Sequence, residues 1–141
     1  MKEAQPEKIT AEAPQGSETI LLVEDEQDVR EVAREFLGMG GYTVLEAKDG
    51  AEAIEVATRH PGSIDLLMTD MVMPGMSGRE LAARLVQLRP EMKVVYMSGY
   101  TEYATVRQGE LTSHALLLTK PFTRGTLART VREVLQGRGP S

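Results

Sequence analysis

Ile20-Leu21-Leu22-Val23-Glu24-Asp25-Glu26 is the stretch that decides the fold, an unbroken apolar run that stops at three acids. Side chains alternate across a strand, so consecutive apolar residues suit a sheet covered on both faces. The acids mark where the chain leaves the sheet. Runs of the same kind recur at Tyr42-Thr43-Val44-Leu45, Leu66-Leu67-Met68, Val94-Val95-Tyr96-Met97 and Ala115-Leu116-Leu117-Leu118. Between them the apolar residues switch to helical spacing: Val29, Val32, Ala33, Phe36 and Leu37; Ala53, Ile54 and Ala57; Leu81, Leu85 and Leu88; Leu127, Val131, Val134 and Leu135. Asp49-x-x-Glu52 and Ser77-x-x-Glu80 read as capping boxes at two helix starts. Thr101–Glu110 is the weakest helical pattern, since Tyr103, Ala104 and Val106 barely form a stripe. Strands alternating with helices predict an α/β domain, a parallel sheet with helices on both faces. The Tyr42 run mixes in Thr43 and Glu46, which suits an edge strand.

The 141 residues fit one domain, and 41% hydrophobic with 26% charged residues is ordinary globular composition. Cys is absent, which excludes a thiol nucleophile, a Cys-ligated zinc and a disulfide framework together. The longest uncharged run, Phe36 to Leu45, is far short of the ~20 apolar residues of a membrane span. The N-terminus is polar, without the apolar core of a signal peptide. Sixteen basic against 21 acidic residues give a net charge of −5, the wrong sign for a sequence-independent nucleic-acid binder. The expectation is a soluble cytoplasmic domain with no nucleic-acid partner and no membrane contact. Residues 1–17 read as a polar linker or disordered tail, 18–138 as the domain and 139–141 as a short tail.

In an open parallel sheet the functional crevice lies beyond the carboxyl ends of the strands. The first strand runs into Glu24-Asp25-Glu26, the third into Asp70, the fourth into Ser98-Gly99 and the fifth into Lys120-Pro121. Two carboxylates about 4 Å apart repel by ~4 kcal/mol at an effective dielectric near 20, so Glu24, Asp25 and Asp70 together ask for a cation. Oxygen ligands without His or Cys favour Mg²⁺ or Mn²⁺ over zinc. A carboxylate beside such a metal and a lysine is equipped to attack a phosphoryl group in line. Ser98 offers a small hydroxyl to the product. Phosphorylating Asp70 would place roughly −2 charge where −1 stood, giving Lys120 and Ser98 new partners.

These residues resemble a known family. Glu24-Asp25, Asp70 followed by Met73-Pro74 and Gly78, Ser98-Gly99 and Lys120-Pro121-Phe122 are similar to the motifs of the receiver domain of two-component response regulators, over about Glu18 to Gly137. The resemblance implies a doubly wound, five-stranded flavodoxin-like sheet of order 2-1-3-4-5. It implies that Asp70 is the phosphoacceptor for a phosphohistidine on a histidine kinase or a histidine phosphotransfer domain. Asp25, Asp70 and the backbone carbonyl of Val72 would ligate Mg²⁺, with Glu24 acting partly through water. Ser98 would move onto the phosphoryl group, Lys120 would pair with it, and the bond before Pro121 would be cis. Relatives carry Tyr or Phe three residues before the lysine, an aromatic switch partner to Ser98; here that residue is Leu117. The strings Glu18–Glu26 and Tyr96–Thr101 further resemble receivers at the C-terminus of hybrid sensor histidine kinases. Because the chain stops soon after its last helix, no DNA-binding output domain is expected; a free-standing regulator is the alternative.

Other readings compete. A Mg²⁺-dependent phosphohydrolase of the haloacid-dehalogenase type would want an acid two residues after its nucleophile, where Val72 stands. A flavin- or nucleotide-binding module would want Gly, Ser or Thr after the first strand. A degenerate receiver would have lost Asp70 or Lys120. Glu26 and Asp28 read as solvated loop charges or caps, Met71, Met73 and Met76 as packing, and His60 and His114 as surface residues rather than phosphodonors.

Overall fold

Ile20, Leu21, Leu22 and Val23 are all fully buried, as a strand covered on both faces requires. The structure, a computed structural model, describes residues 16–99 and 115–136. Residues 1–15 of the lead-in, the helix expected at Thr101–Glu110, His114 and the tail at 139–141 lie outside the described residues. Strands β1 (Thr19–Val23), β2 (Thr43–Ala47), β3 (Leu66–Asp70), β4 (Lys93–Ser98) and β5 (Ala115–Thr119) alternate with helices α1 (Gln27–Met39), α2 (Gly50–Arg59), α3 (Gly78–Leu88) and α4 (Arg124–Leu135). The strands form one sheet of order β2-β1-β3-β4-β5, and every adjacent pair is parallel. The Tyr42 run is indeed an edge strand, shifted to begin at Thr43, with Tyr42 buried just before it.

Strand alternation divides the core in two. Leu21, Val23, Leu67, Val94 and Tyr96 pack with Ala53, Ala57, Leu81 and Leu85 of α2 and α3. Ile20, Leu22, Leu66, Met68, Val95, Met97 and Leu118 pack with Ala33, Leu37, Leu127, Val131 and Val134 of α1 and α4. Fully burying each such Leu, Ile or Val contributes about 1.5–3 kcal/mol. Two members of the expected helical stripes point outward instead. Val32 is 44% and Leu88 55% exposed. Val32 faces the crevice at the strand ends, and Leu88 sits in the last turn of α3.

Polar contacts fix the helices to the sheet. The Ser77–Glu80 pair is a full capping box, whereas Asp49 accepts the Glu52 N–H at 2.9 Å and Glu52 accepts from Lys48 N–H at 2.7 Å. The second half of the expected Asp49 box has thus slipped one residue outward. Thr123 caps α4, a start that the sequence pattern did not single out. Gly41, at φ +94°, takes a left-handed turn that brings the Gly40 carbonyl to the Gly16 N–H at 2.9 Å. Arg132 then binds Glu18 at 2.8 Å and the Tyr42 hydroxyl at 3.1 Å, tying α4 to the start of β1.

Arg89 closes the other side. Its guanidinium donates to the carbonyls of Ala57 and His60 at 2.8 Å each and of Gly62 at 2.8 Å, capping the C-terminus of α2 from the end of α3. His60, read as a surface residue, is accordingly half-buried at this joint. Arg89→Ala is expected to cost about 1–2 kcal/mol, given that charged hydrogen bonds contribute about 1.5–3 kcal/mol and this one is partly exposed. Urea unfolding measures it, and an unchanged midpoint would contradict the clamp.

Candidate functional site

The parallel register carries four strand ends to one edge. Asp70 is the last residue of β3 and pairs with Met97, one residue before Ser98 on β4. Ser98 pairs with Thr119, so Lys120 follows directly on β5. The ladder continues a residue past each strand: Glu24 N–H donates to Ala47 at 3.1 Å, Met71 N–H to Met97 at 2.9 Å and Lys120 N–H to Ser98 at 2.8 Å. These bonds hold the backbone of the loops that carry the polar side chains. Gly78 explains its place in the motif, because a Cβ there would run into the Asp70 carbonyl oxygen. Its N–H instead donates to the Met71 carbonyl at 2.9 Å.

The acids converge as the strand order requires. One carboxylate oxygen from each of Glu24, Asp25 and Asp70 lies within 4.8 Å of the others. Glu24 is fully buried and Asp70 nearly so, while Asp25 is exposed. The Lys120 ammonium sits 3.3 Å from Glu24 Oε1 and 3.3 Å from Asp70 Oδ1. Glu24 Oε2 accepts the Glu26 N–H at 3.1 Å. Burial pushes the Glu24 carboxyl up to about 7, helped by the charge of Asp70 and opposed by Lys120. Burial also raises the Asp70 carboxyl, against the pull of Lys120. Burial pulls the Lys120 ammonium down, but the two carboxylates beside it outweigh that and leave it above its usual value. Two buried carboxyls are thus held up against ionisation with a single lysine between them. A divalent cation would relieve that, and three carboxylate oxygens with no His or Cys suit a hard, oxygen-seeking ion such as Mg²⁺.

The cluster opens into a cavity of about 680 Å³. Asp25, Asp70 and Lys120 form its polar side, Val29, Val32 and Phe122 its apolar side, and Val72 its exposed rim. Glu26 and Asp28 line the mouth as exposed charges; Glu26 holds the N-cap position of α1 without a side-chain capping bond, and Asp28 lies in the first turn. The Lys120–Pro121 bond is cis. Ser98 is buried beside this group but is not engaged with Asp70, since its hydroxyl donates to the Gly99 carbonyl at 3.0 Å. Leu117, half-buried, pairs with Tyr96 and packs on the α2–α3 side of the sheet. Sequence reasoning missed Arg30, whose guanidinium donates to the Glu24 carbonyl at 2.7 Å. Its only sequence signal was its position one turn into α1, on the helix that comes after the acids.

The raised Glu24 carboxyl has a measurable consequence. Between about pH 4.5 and about 7 the folded protein holds a proton on Glu24 that the unfolded chain has released. Without a divalent cation, this group's contribution to stability therefore falls as the pH rises through that window. The Tm of Glu24→Gln is expected to gain on that of the wild type across the same window. A gap that stays constant would contradict the assignment.

The family model described as "Response regulator receiver domain" matches residues 20–132. The chain is 41% identical over 135 residues to the sensor kinase CckA of Brucella abortus, covering 96% of this chain and 14% of that protein's length. It is 35% identical over 116 residues to the response regulator receiver protein CpdR of the same organism, covering 82% of this chain and 95% of the relative. Among solved structures, the receiver domain of the hybrid histidine kinase CckA superposes with a TM-score of 0.70 at 37% identity, over 84% of this chain and 99% of that one. A response regulator receiver protein from Sinorhizobium medicae superposes with a TM-score of 0.73 at 30% identity, over 86% of this chain and 97% of that one. No helix among the described residues is long and apolar enough to cross a membrane. The converging acids, the strand order and the family match agree: the chain belongs to the response regulator receiver domain family, the phosphoryl-receiving modules of two-component signalling.

Proposed function

We propose that Asp70 accepts a phosphoryl group from a phosphohistidine on a histidine kinase or histidine phosphotransfer domain, in a Mg²⁺-dependent reaction that switches the domain. The observation that carries this reading is the Asp70 carboxylate paired with Lys120 at 3.3 Å, inside an acidic cluster whose oxygens lie within 4.8 Å of one another. In the transfer an Asp70 oxygen bonds to phosphorus while the phosphorus–nitrogen bond breaks and its electron pair returns to the imidazole ring. Glu24, Asp25, Asp70 and the Val72 carbonyl are the groups that would hold Mg²⁺, which when bound offsets negative charge on the phosphoryl oxygens. Lys120 lies within reach of both buried carboxylates, so it can turn to a phosphoryl oxygen on Asp70 without crossing the site. Ser98 has to leave the Gly99 carbonyl to join it, which a rotation about its own side-chain bond accomplishes. Leu117 has no ring to reorient, so any aromatic step of the switch is absent at that position.

The apolar side of the cavity, Val29, Val32 and Phe122, offers the donor a dry contact next to Asp70. Val72 stands where a phosphohydrolase would keep its proton-moving acid, so the chemistry is confined to this domain's own aspartate. The identity to the CckA sensor kinase favours a hybrid histidine kinase as the parent chain, while the near-complete span of CpdR favours a free-standing regulator as the second reading. Both readings are in keeping with a domain that works in the cytoplasm, on the side of its histidine kinase donor.

Incubation with acetyl phosphate, with and without Mg²⁺, and then intact-mass measurement tests the central step. The wild type is expected to gain one phosphoryl group only with Mg²⁺, and Asp70→Asn none. Labelling of Asp70→Asn at the same site would overturn the assignment.

A further inference from the structure

Arg30 stands outside the acidic cluster, yet it grips the backbone that carries it. Its guanidinium donates to the carbonyl of Glu24 at 2.7 Å, a short charge-assisted bond. That carbonyl belongs to the peptide unit joining Glu24 to Asp25. The other anchors on Glu24 are already set. Its N–H is held by Ala47 at 3.1 Å, and its carboxylate is held by Lys120 at 3.3 Å and the Glu26 N–H at 3.1 Å. Asp25, by contrast, is exposed, so the orientation of this peptide unit, rather than packing, decides where its carboxylate sits.

Arg30 is itself braced. Its Nε lies 3.4 Å from Glu46 Oε1 on the edge strand β2, and Glu46 Oε2 also meets Arg34 Nε at 3.2 Å. The Arg30 side chain is only 18% exposed, less than Glu46 at 36%, so the grip on Glu24 is the more shielded end. The run of contacts therefore goes from the edge strand, through Arg30, to the Glu24–Asp25 peptide. Glu46, which in the sequence marked an edge strand, has this second use.

We propose that Arg30 is a positioning residue for the divalent-cation site, orienting the Glu24–Asp25 peptide so that the Asp25 carboxylate meets those of Glu24 and Asp70. This rests on the reading of that cluster as the Mg²⁺ site. Electrostatics alone predicts the opposite effect: a guanidinium next to a cation site repels the cation, and deleting it should tighten binding. The sign of the change therefore separates positioning from bulk charge.

The experiment is calorimetric titration of the full chain with Mg²⁺, comparing wild type, Arg30→Met, Glu46→Gln and Arg89→Ala, with Tm recorded for each. Arg30→Met is expected to weaken Mg²⁺ binding roughly tenfold, the lower end of the range for groups that orient metal ligands. Glu46→Gln should weaken it less, in the same direction, because Arg30 keeps its bond to Glu24. Arg89→Ala lowers Tm at a distant joint and should leave Mg²⁺ affinity unchanged, so lost stability alone does not imitate the effect. Unchanged or tighter binding by folded Arg30→Met overturns the proposal. If Arg30→Met fails to fold, Arg30→Gln decides it, because it also removes the positive charge and is too short to span from Glu46 to the Glu24 carbonyl: unchanged or tighter binding in that variant overturns the proposal. A wild type that binds no Mg²⁺ overturns the metal reading and this inference with it, whereas a wild type that binds while the variants match it overturns the inference alone.

Discussion

The shared ammonium of Lys120, 3.3 Å from a carboxylate oxygen of both Glu24 and Asp70, is the contact on which the site depends. Without it two buried carboxyls would face each other with no compensating charge, a cost of several kcal/mol that neutral protonation would have to relieve. Even with it, burial keeps both carboxyls above their usual range, Glu24 up to about 7. On the proposed reading the site takes in positive charge first and then gives up its lysine to an incoming anion. That is the electrostatic order in which a metal and then a phosphoryl group would arrive.

The fold exists, in functional terms, to keep these three groups from drifting apart. They come from the ends of β1, β3 and β5, and β5 neighbours neither of the other two in the sheet. The parallel sheet holds these distant chain segments together, and its two faces are sealed by separate apolar cores. The loops that bear the acids are not free loops. Each begins with a backbone bond that continues the ladder, and the Glu24–Asp25 peptide is gripped from outside by Arg30. Stability and function are divided between the ends of the molecule, with Arg89 clamping the joint between α2 and α3 away from the crevice.

Much of this was legible in the residues. Unbroken apolar runs such as Ile20–Val23 announce strands covered on both sides, and the polar residues just past each run are the groups at the crevice. The resemblance carried by Asp70, Ser98-Gly99 and Lys120-Pro121 implied the strand order that the structure has. Less legible were contacts that depend on side-chain reach. Nothing in the local pattern tells that Arg30 turns back to Glu24, that Arg89 reaches three carbonyls of another helix end, or that Glu52 caps Lys48 rather than Asp49. Periodicity also over-counted the core at Val32 and Leu88, because it registers a helical face without knowing where the sheet beneath it ends.

On the proposed reading Lys120 changes partners when the site fills. A crystal structure with Mg²⁺ and beryllofluoride, a phosphoryl mimic, is the direct measurement. The predicted result is beryllofluoride on an Asp70 oxygen, Mg²⁺ on Asp25, Asp70 and the Val72 carbonyl with Glu24 reaching it through water, and the Lys120 ammonium moved from Glu24 onto a fluorine. Lys120 still paired with Glu24, or beryllofluoride bound away from Asp70, would contradict it.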